Sequence, residues 1–272
     1  MSSLSINKAW DESVAFINRE VRLVFPLALA FFMLPSVLLG WAQPTGTVQE
    51  SGVGAFISLL LLLLVLVGQI AIVRLALGWG GSVADAISRA ARRALPMIGA
   101  SLLVFVPLLL IALLLLMVVL AASGVTNPAD MTPERLATMP SVALVILAFM
   151  LLLVAVAARL MPMSAVAAAE DVGPIGLINR SLALSKGHFW KLLGVFILVA
   201  IASMIIESAT GLLGGTVMAL LLGAPEPFNL SALIVALLSG FVSAAASAIA
   251  AILTARIYAQ LAAQPTVPDV GR

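Results

Sequence analysis

Cysteine is absent from the 272 residues, which excludes disulfides, thiolate metal sites and cysteine nucleophiles. A single histidine, His188, excludes any site that needs two imidazoles. Charge is scarce too: 10% of residues are Asp, Glu, Lys or Arg, against about 25% in soluble domains. The net charge is only +2 although the pI is about 9.5, so no broad basic surface is available to grip nucleic acid. Apolar side chains fill the space that charge leaves. At 63% hydrophobic residues and a mean hydropathy of +1.22, a water-soluble fold is excluded.

A spanning helix takes about 20 mainly apolar residues. Apolar runs bounded by turn and charge signals place six candidates, at 23–41, 53–75, 97–121, 141–161, 190–210 and 231–255. The expected fold is an all-α polytopic membrane protein, one integral membrane domain over 1–263 with a tail at 264–272. The first run is expected to be a retained helix rather than a signal peptide: Asp11, Glu12 and Glu20 precede it and no small-x-small pattern follows.

Six spans put both termini on one side. The segments on that side hold 13 of the 14 basic residues, and the opposite loops near 42–52, 122–140 and 211–230 hold only Arg135. The positive-inside rule makes the terminal side cytoplasmic. The opposite loops are turn-rich, as in Gln43-Pro44-Thr45-Gly46 and Asn127-Pro128, and short. The apolar stretch from Trp190 to Leu222 is too long for one untilted span, and Gly211, Gly214 and Gly215 predict a break with an interfacial or re-entrant turn after it.

Three spans follow a stretch with amphipathic helical spacing. Ile6, Trp10, Val14, Ile17 and Val21 oppose Lys8, Asp11, Glu12 and Arg19; Val83, Ala86, Ile87, Ala90 and Ala94 oppose Asp85, Arg89, Arg92 and Arg93; Ile175, Ile178, Leu182 and Ser185 oppose Asn179, Arg180 and Lys186. Ser82 and Asp85 read as a capping box, and Pro174 as a first helical residue. Spans two, four and six end alike, in Arg74-Leu75, Arg159-Leu160 and Arg256-Ile257. The chain therefore reads as three copies of one unit, over approximately 4–78, 82–162 and 174–260.

The third unit carries a more specific pattern. Arg159, Pro162, Glu170, Arg180, Ser181, Leu184, Gly187, Phe189 and Trp190 resemble the bacterial membrane domain of glycerophosphoryl diester phosphodiesterases and the related YciC-like integral membrane proteins, with Leu182 where a Trp is usual. Leu4 to Ala28, running into Phe25-Pro26-Leu27, is similar to the opening of that family. The resemblance implies a multi-pass protein of a bacterial inner membrane. In that family the membrane domain can be joined to a phosphodiesterase barrel with a His-Arg-Gly motif, metal-binding carboxylates and a second His; none of these is in this chain, so no activity carries over.

Arg74, Arg159 and Arg256 fall at basic span ends, where a long side chain can snorkel to a lipid phosphate or complement its own helix C-terminus. Arg180, Lys186 and Trp190 are further candidates for headgroup contact or for structure. Glu207, about 25 Å along a helix from Trp190 at 1.5 Å per residue, is expected near the opposite boundary as an interfacial carboxylate, with a proton or cation site as the sharper reading. Ser239, Ser243 and Ser247 beside Gly240, Ala244 and Ala248 fit helix packing better than a solute route. His188 with Phe189, Trp190 and Lys191 reads as an interfacial belt, and Glu170 and Asp171 as ion-pair partners of Arg159 or Arg180.

Intramembrane proteases and metalloenzymes need facing Ser and His or several ligands, which these spans do not supply. The expected function is a non-catalytic membrane module that uses no cofactor or metal and organises anionic lipid or a partner protein at the cytoplasmic face; the alternative is a small-molecule or lipid transporter. Three amphipathic helices and the three span-end arginines are expected to form one ring at headgroup depth.

Overall fold

A bilayer offers no partner for exposed peptide groups, so a chain this apolar must satisfy its backbone within helices. The computed structural model describes residues 4–43, 52–124 and 138–263, with no strand among them. In chain order the helices are α1 (Ile6–Ala28), a π-helical turn (Leu29–Met33), α2 (Leu34–Ala42), α3 (Gly52–Ala76), α4 (Val83–Ala122), α5 (Pro140–Leu160), α6 (Met163–Ala169), α7 (Pro174–Ser185), α8 (Phe189–Leu222) and α9 (Leu230–Ala262). Among the described residues six helical stretches are long and apolar enough to cross a membrane: Ile6–Ala42, Gly54–Ala76, Val83–Ala122, Pro140–Ala169, Phe189–Leu222 and Leu230–Ala262. The first two loops opposite the basic end, with Arg135, and the tail at 264–272 lie outside the described residues.

Local chemistry sets the boundaries. Asp85 N–H donates to Ser82 Oγ at 3.1 Å and Ser82 N–H returns a bond to Asp85 Oδ2 at 3.3 Å, completing the capping box. Asn229 caps α9 by accepting from Ala232 N–H at 2.7 Å. Pro140 and Pro174 open α5 and α7, where a missing N–H costs nothing. Pro26 near the end of α1 and Pro35 at the start of α2 flank the π-helical turn.

Two expectations change. The first two amphipathic stretches are not separate helices: the first runs from Ile6 into α1 with a local break at Glu20 (φ −112°, ψ 19°), and the second continues through Pro96 as the start of the 40-residue α4. The buried stripe Ala86, Ala90, Ala94, Met97 and Ala100 passes straight across Pro96, so packing outweighs the one lost hydrogen bond. Only the third stretch, α7, stands alone. Likewise α8 does not break at Gly211–Gly215 but continues to Leu222. A glycine costs a helix about 1 kcal/mol, whereas breaking the helix in lipid strands several peptide groups at greater cost.

Burial is concentrated at the basic end. One continuous cluster joins Ile70–Ala76 of α3, Met163–Ala168 around α6, Ile252–Leu261 of α9 and Ala86–Ala100 of α4. Further from that end α4 and α5 turn leucines such as Leu109, Leu114, Leu147 and Leu151 outward, as lipid-facing helices do. Helix α9 crosses the centre on small residues: Ala236, Gly240, Ala244 and Ala248, spaced by four, are all buried. In lipid, close approach rather than hydrophobic exclusion holds helices together. Gly240 shows the requirement directly, since a Cβ there would sit 2.8 Å from Val37 Cγ2 and 3.4 Å from the Met33 carbonyl.

Candidate functional site

At the basic end the chain buries a helix of about two turns. Met163 to Ala168 of α6 are all buried, and a short helix inside the protein leaves its last carbonyls without intrahelical donors. Two arginines supply them. Arg74, 8% exposed, donates from Nη1 to the Ala168 carbonyl at 2.5 Å. Arg93 donates from Nε to the Ala167 carbonyl at 3.2 Å and from Nη2 to the Glu170 and Val172 carbonyls at 2.6 and 2.7 Å. Their positive charge also complements the negative end of the α6 dipole.

The side chains after α6 extend this network. Glu170 Oε1 accepts from Arg180 Nε at 2.9 Å and from the Tyr258 hydroxyl at 2.9 Å, tying α7 and α9 to the α6 terminus. The hydrogen bond to Glu170 holds the Arg180 guanidinium pKa above its ordinary value, against the opposing effect of burial. Asp171 pairs with Arg89 of α4. Arg180 is thus one of the two partners expected from sequence, while Arg159 pairs with neither carboxylate.

The three span-end arginines are not equivalent in exposure, which corrects the picture of one headgroup-level ring. Arg74 is buried, Arg256 is half-buried and Arg159 is exposed. What they share is an aromatic face: Arg74 lies 3.9 Å from the Trp79 ring centroid, Arg159 5.1 Å from Phe189 and Arg256 5.2 Å from Phe16. Each ring lies outside the helix that carries its arginine: Trp79 just after α3, Phe189 at the start of α8 and Phe16 in α1. Lys186 and Trp190 are exposed, and Trp190 stacks edge-on with Phe189 at 5.3 Å.

Beside the network a surface groove of about 530 Å³ is lined by Trp79, Asp85, Ser88, Arg89, Arg92, Arg93 and Asp171. Arg93 is spent on carbonyls and Arg89 on Asp171, whereas Arg92 is exposed and makes no hydrogen bond or ion pair among the described residues. The groove therefore holds three guanidinium groups, of which that of Arg92 is the uncommitted one, against two carboxylates, with the Trp79 indole beside them. That is a surface suited to a phosphate attached to an apolar body.

Glu207 lies elsewhere. With Ser36, Ser239 and Ser243 it lines a second groove, of about 480 Å³, between α2, α8 and α9. Ser247 of the same stripe is not among its lining residues. Glu207 lies 17 residues along the unbroken α8 from Trp190, about 25 Å at 1.5 Å per residue, and shares the groove-lining face of that helix with Gly211 and Gly215.

Sequence reasoning missed α6, the Arg74 and Arg93 caps and the Tyr258 bond. The run Ser164-Ala-Val-Ala-Ala-Ala169, small and directly after a span-end arginine, was the available sign. Compared with known protein families, curated proteins and solved structures, the chain has no match.

Proposed function

We propose that this chain is a non-catalytic integral membrane protein of a bacterial inner membrane, with both termini cytoplasmic, that gathers anionic phospholipid at its cytoplasmic face. The observation that carries this reading is the groove of Arg89, Arg92 and Arg93 beside Trp79. Guanidinium groups bind phosphate oxygens through paired N–H donors, and each cation near an anionic leaflet adds about 1 kcal/mol of attraction. Exposed Arg22, Arg159 and Lys186 extend the same charge. A partner protein docked on that face is the other occupant this reading admits.

The reading includes a threefold repeat of units with interfacial amphipathic segments; the recurrence of a span-end arginine on an aromatic ring, at Arg74, Arg159 and Arg256, supports it. It also includes kinship with the glycerophosphoryl diester phosphodiesterase membrane domain, supported by the joint role of the motif residues Glu170 and Arg180 in one ion pair. The lack of catalysis rests on composition: one histidine, no cysteine and no phosphodiesterase barrel motif. A second reading, a small-molecule or lipid transporter, draws support from the groove at Glu207.

Native mass spectrometry of protein purified from a mixture of phosphatidylglycerol and phosphatidylcholine tests the lipid reading. The wild type should retain phosphatidylglycerol selectively and Arg89→Gln/Arg92→Gln should retain several-fold less. Equal retention by the two overturns it.

A further inference from the structure

Helices α2, α8 and α9 enclose a groove whose chemistry the basic face does not explain. Its walls change character with depth. Toward the end opposite the basic face, Pro225, Ala232, Ala236, Gly40, Gly211 and Gly215 form an apolar throat. Deeper in, Ser239, Ser36, Ser243 and Glu207 converge from three helices. Neither the Glu207 carboxylate nor these hydroxyls makes a hydrogen bond or ion pair among the described residues.

The glycines separate into two kinds. A Cβ at Gly240 or Gly40 would press on Val37 or on Ala236, at 2.8 and 3.2 Å, so those two allow the helices to touch. At Gly211 and Gly215 a Cβ would meet nothing within 4 Å, although both line the groove. Two helix-weakening residues that permit no contact leave only the width of the groove as their structural effect.

Size selects the occupant. From Ala232 to Ser243 is 11 residues, about 16 Å at 1.5 Å per residue. The groove, of about 480 Å³, runs along that length. A single hydrocarbon chain fits. Charge selects its end group, because an unpaired carboxylate in a largely apolar groove is stabilised by a cation brought to it.

We propose that this groove binds one slim cationic amphiphile, a hydrocarbon chain ending in an ammonium group, with the ammonium on Glu207 and the Ser36, Ser239 and Ser243 hydroxyls and the chain along Gly211 and Gly215. The two grooves share no lining residue, so this one stands independently of the anionic-lipid reading.

The test uses the full chain in detergent and native mass spectrometry with two probes, n-decylamine and n-decanol. The amine is protonated at pH 7, as a lysine-like amine is. The wild type should bind one decylamine saturably and decanol at least tenfold more weakly. Glu207→Gln should lose at least tenfold in decylamine affinity. Gly215→Leu, which fills open space rather than clashing, should keep the wild-type melting temperature and lose binding to the same degree. Equal binding of amine and alcohol by the wild type, no saturable binding at all, or full binding by a folded Glu207→Gln each overturns the proposal. A stoichiometric dimer that Gly215→Leu abolishes assigns the groove to a helix of a second copy and overturns it as well.

Discussion

Replacing Arg74 with Met keeps the length of the side chain and removes its charge and donors, which separates a structural role from a lipid role. The Ala168 carbonyl, bonded at 2.5 Å in the wild type, is left buried without a donor, a loss of about 1–3 kcal/mol. The contact with Trp79 at 3.9 Å is worth up to about 2 kcal/mol where water is excluded. Against these stands relief from desolvating a guanidinium that is 8% exposed, so the net loss is about 2–3 kcal/mol. At about 2–4 °C per kcal/mol for a chain of this size, thermal unfolding followed by circular dichroism should shift down by roughly 5–10 °C. Arg159→Met is the control: it gives up only an exposed contact with Phe189, about 0.5–1 kcal/mol, and should melt close to wild type. An Arg74→Met protein that melts like wild type while losing bound anionic lipid would refute the assignment of Arg74 to the α6 terminus.

Other perturbations follow from the same geometry. Gly240→Leu should destabilise strongly because its Cβ meets Val37 at 2.8 Å, whereas Gly211→Leu should not, its Cβ meeting nothing within 4 Å; paired melting curves decide. Arg180→Gln should cost stability equally at pH 6 and pH 8.5. Its pKa is raised by Glu170, so its contribution is complete below the ordinary arginine pKa and is lost only as pH rises through the higher folded value, far above both conditions. Single cysteines introduced at 130 and 226 in this cysteine-free chain should react with an impermeant maleimide from outside intact spheroplasts, and protection of both would reverse the orientation.

The spans were legible because a 20-residue apolar run has one physical solution in a bilayer, and the Ser82–Asp85 box because capping depends on neighbours alone. The role of Arg74 was not. An arginine closing a span reads the same whether it reaches outward to phosphate or inward to a carbonyl, and the difference lies 94 residues away at Ala168. The α6 segment was hidden for a related reason: Met163 to Ala169 have the composition of a span and the length of about two turns. The break expected at Gly211–Gly215 was read from glycine content alone. Hydrogen bonding in lipid outweighs glycine propensity, and the helix continues.

The central claim, that the groove of Arg89, Arg92 and Arg93 holds anionic lipid, places a phosphate-bearing lipid next to Trp79. A chain with Trp10, Trp41 and Trp190 replaced by Phe leaves Trp79 as its sole indole. Quenching of its fluorescence by brominated phosphatidylglycerol should exceed quenching by brominated phosphatidylcholine at equal mole fraction, and Arg89→Gln/Arg92→Gln should erase the difference. Equal quenching by the two lipids in the unaltered groove would contradict the account.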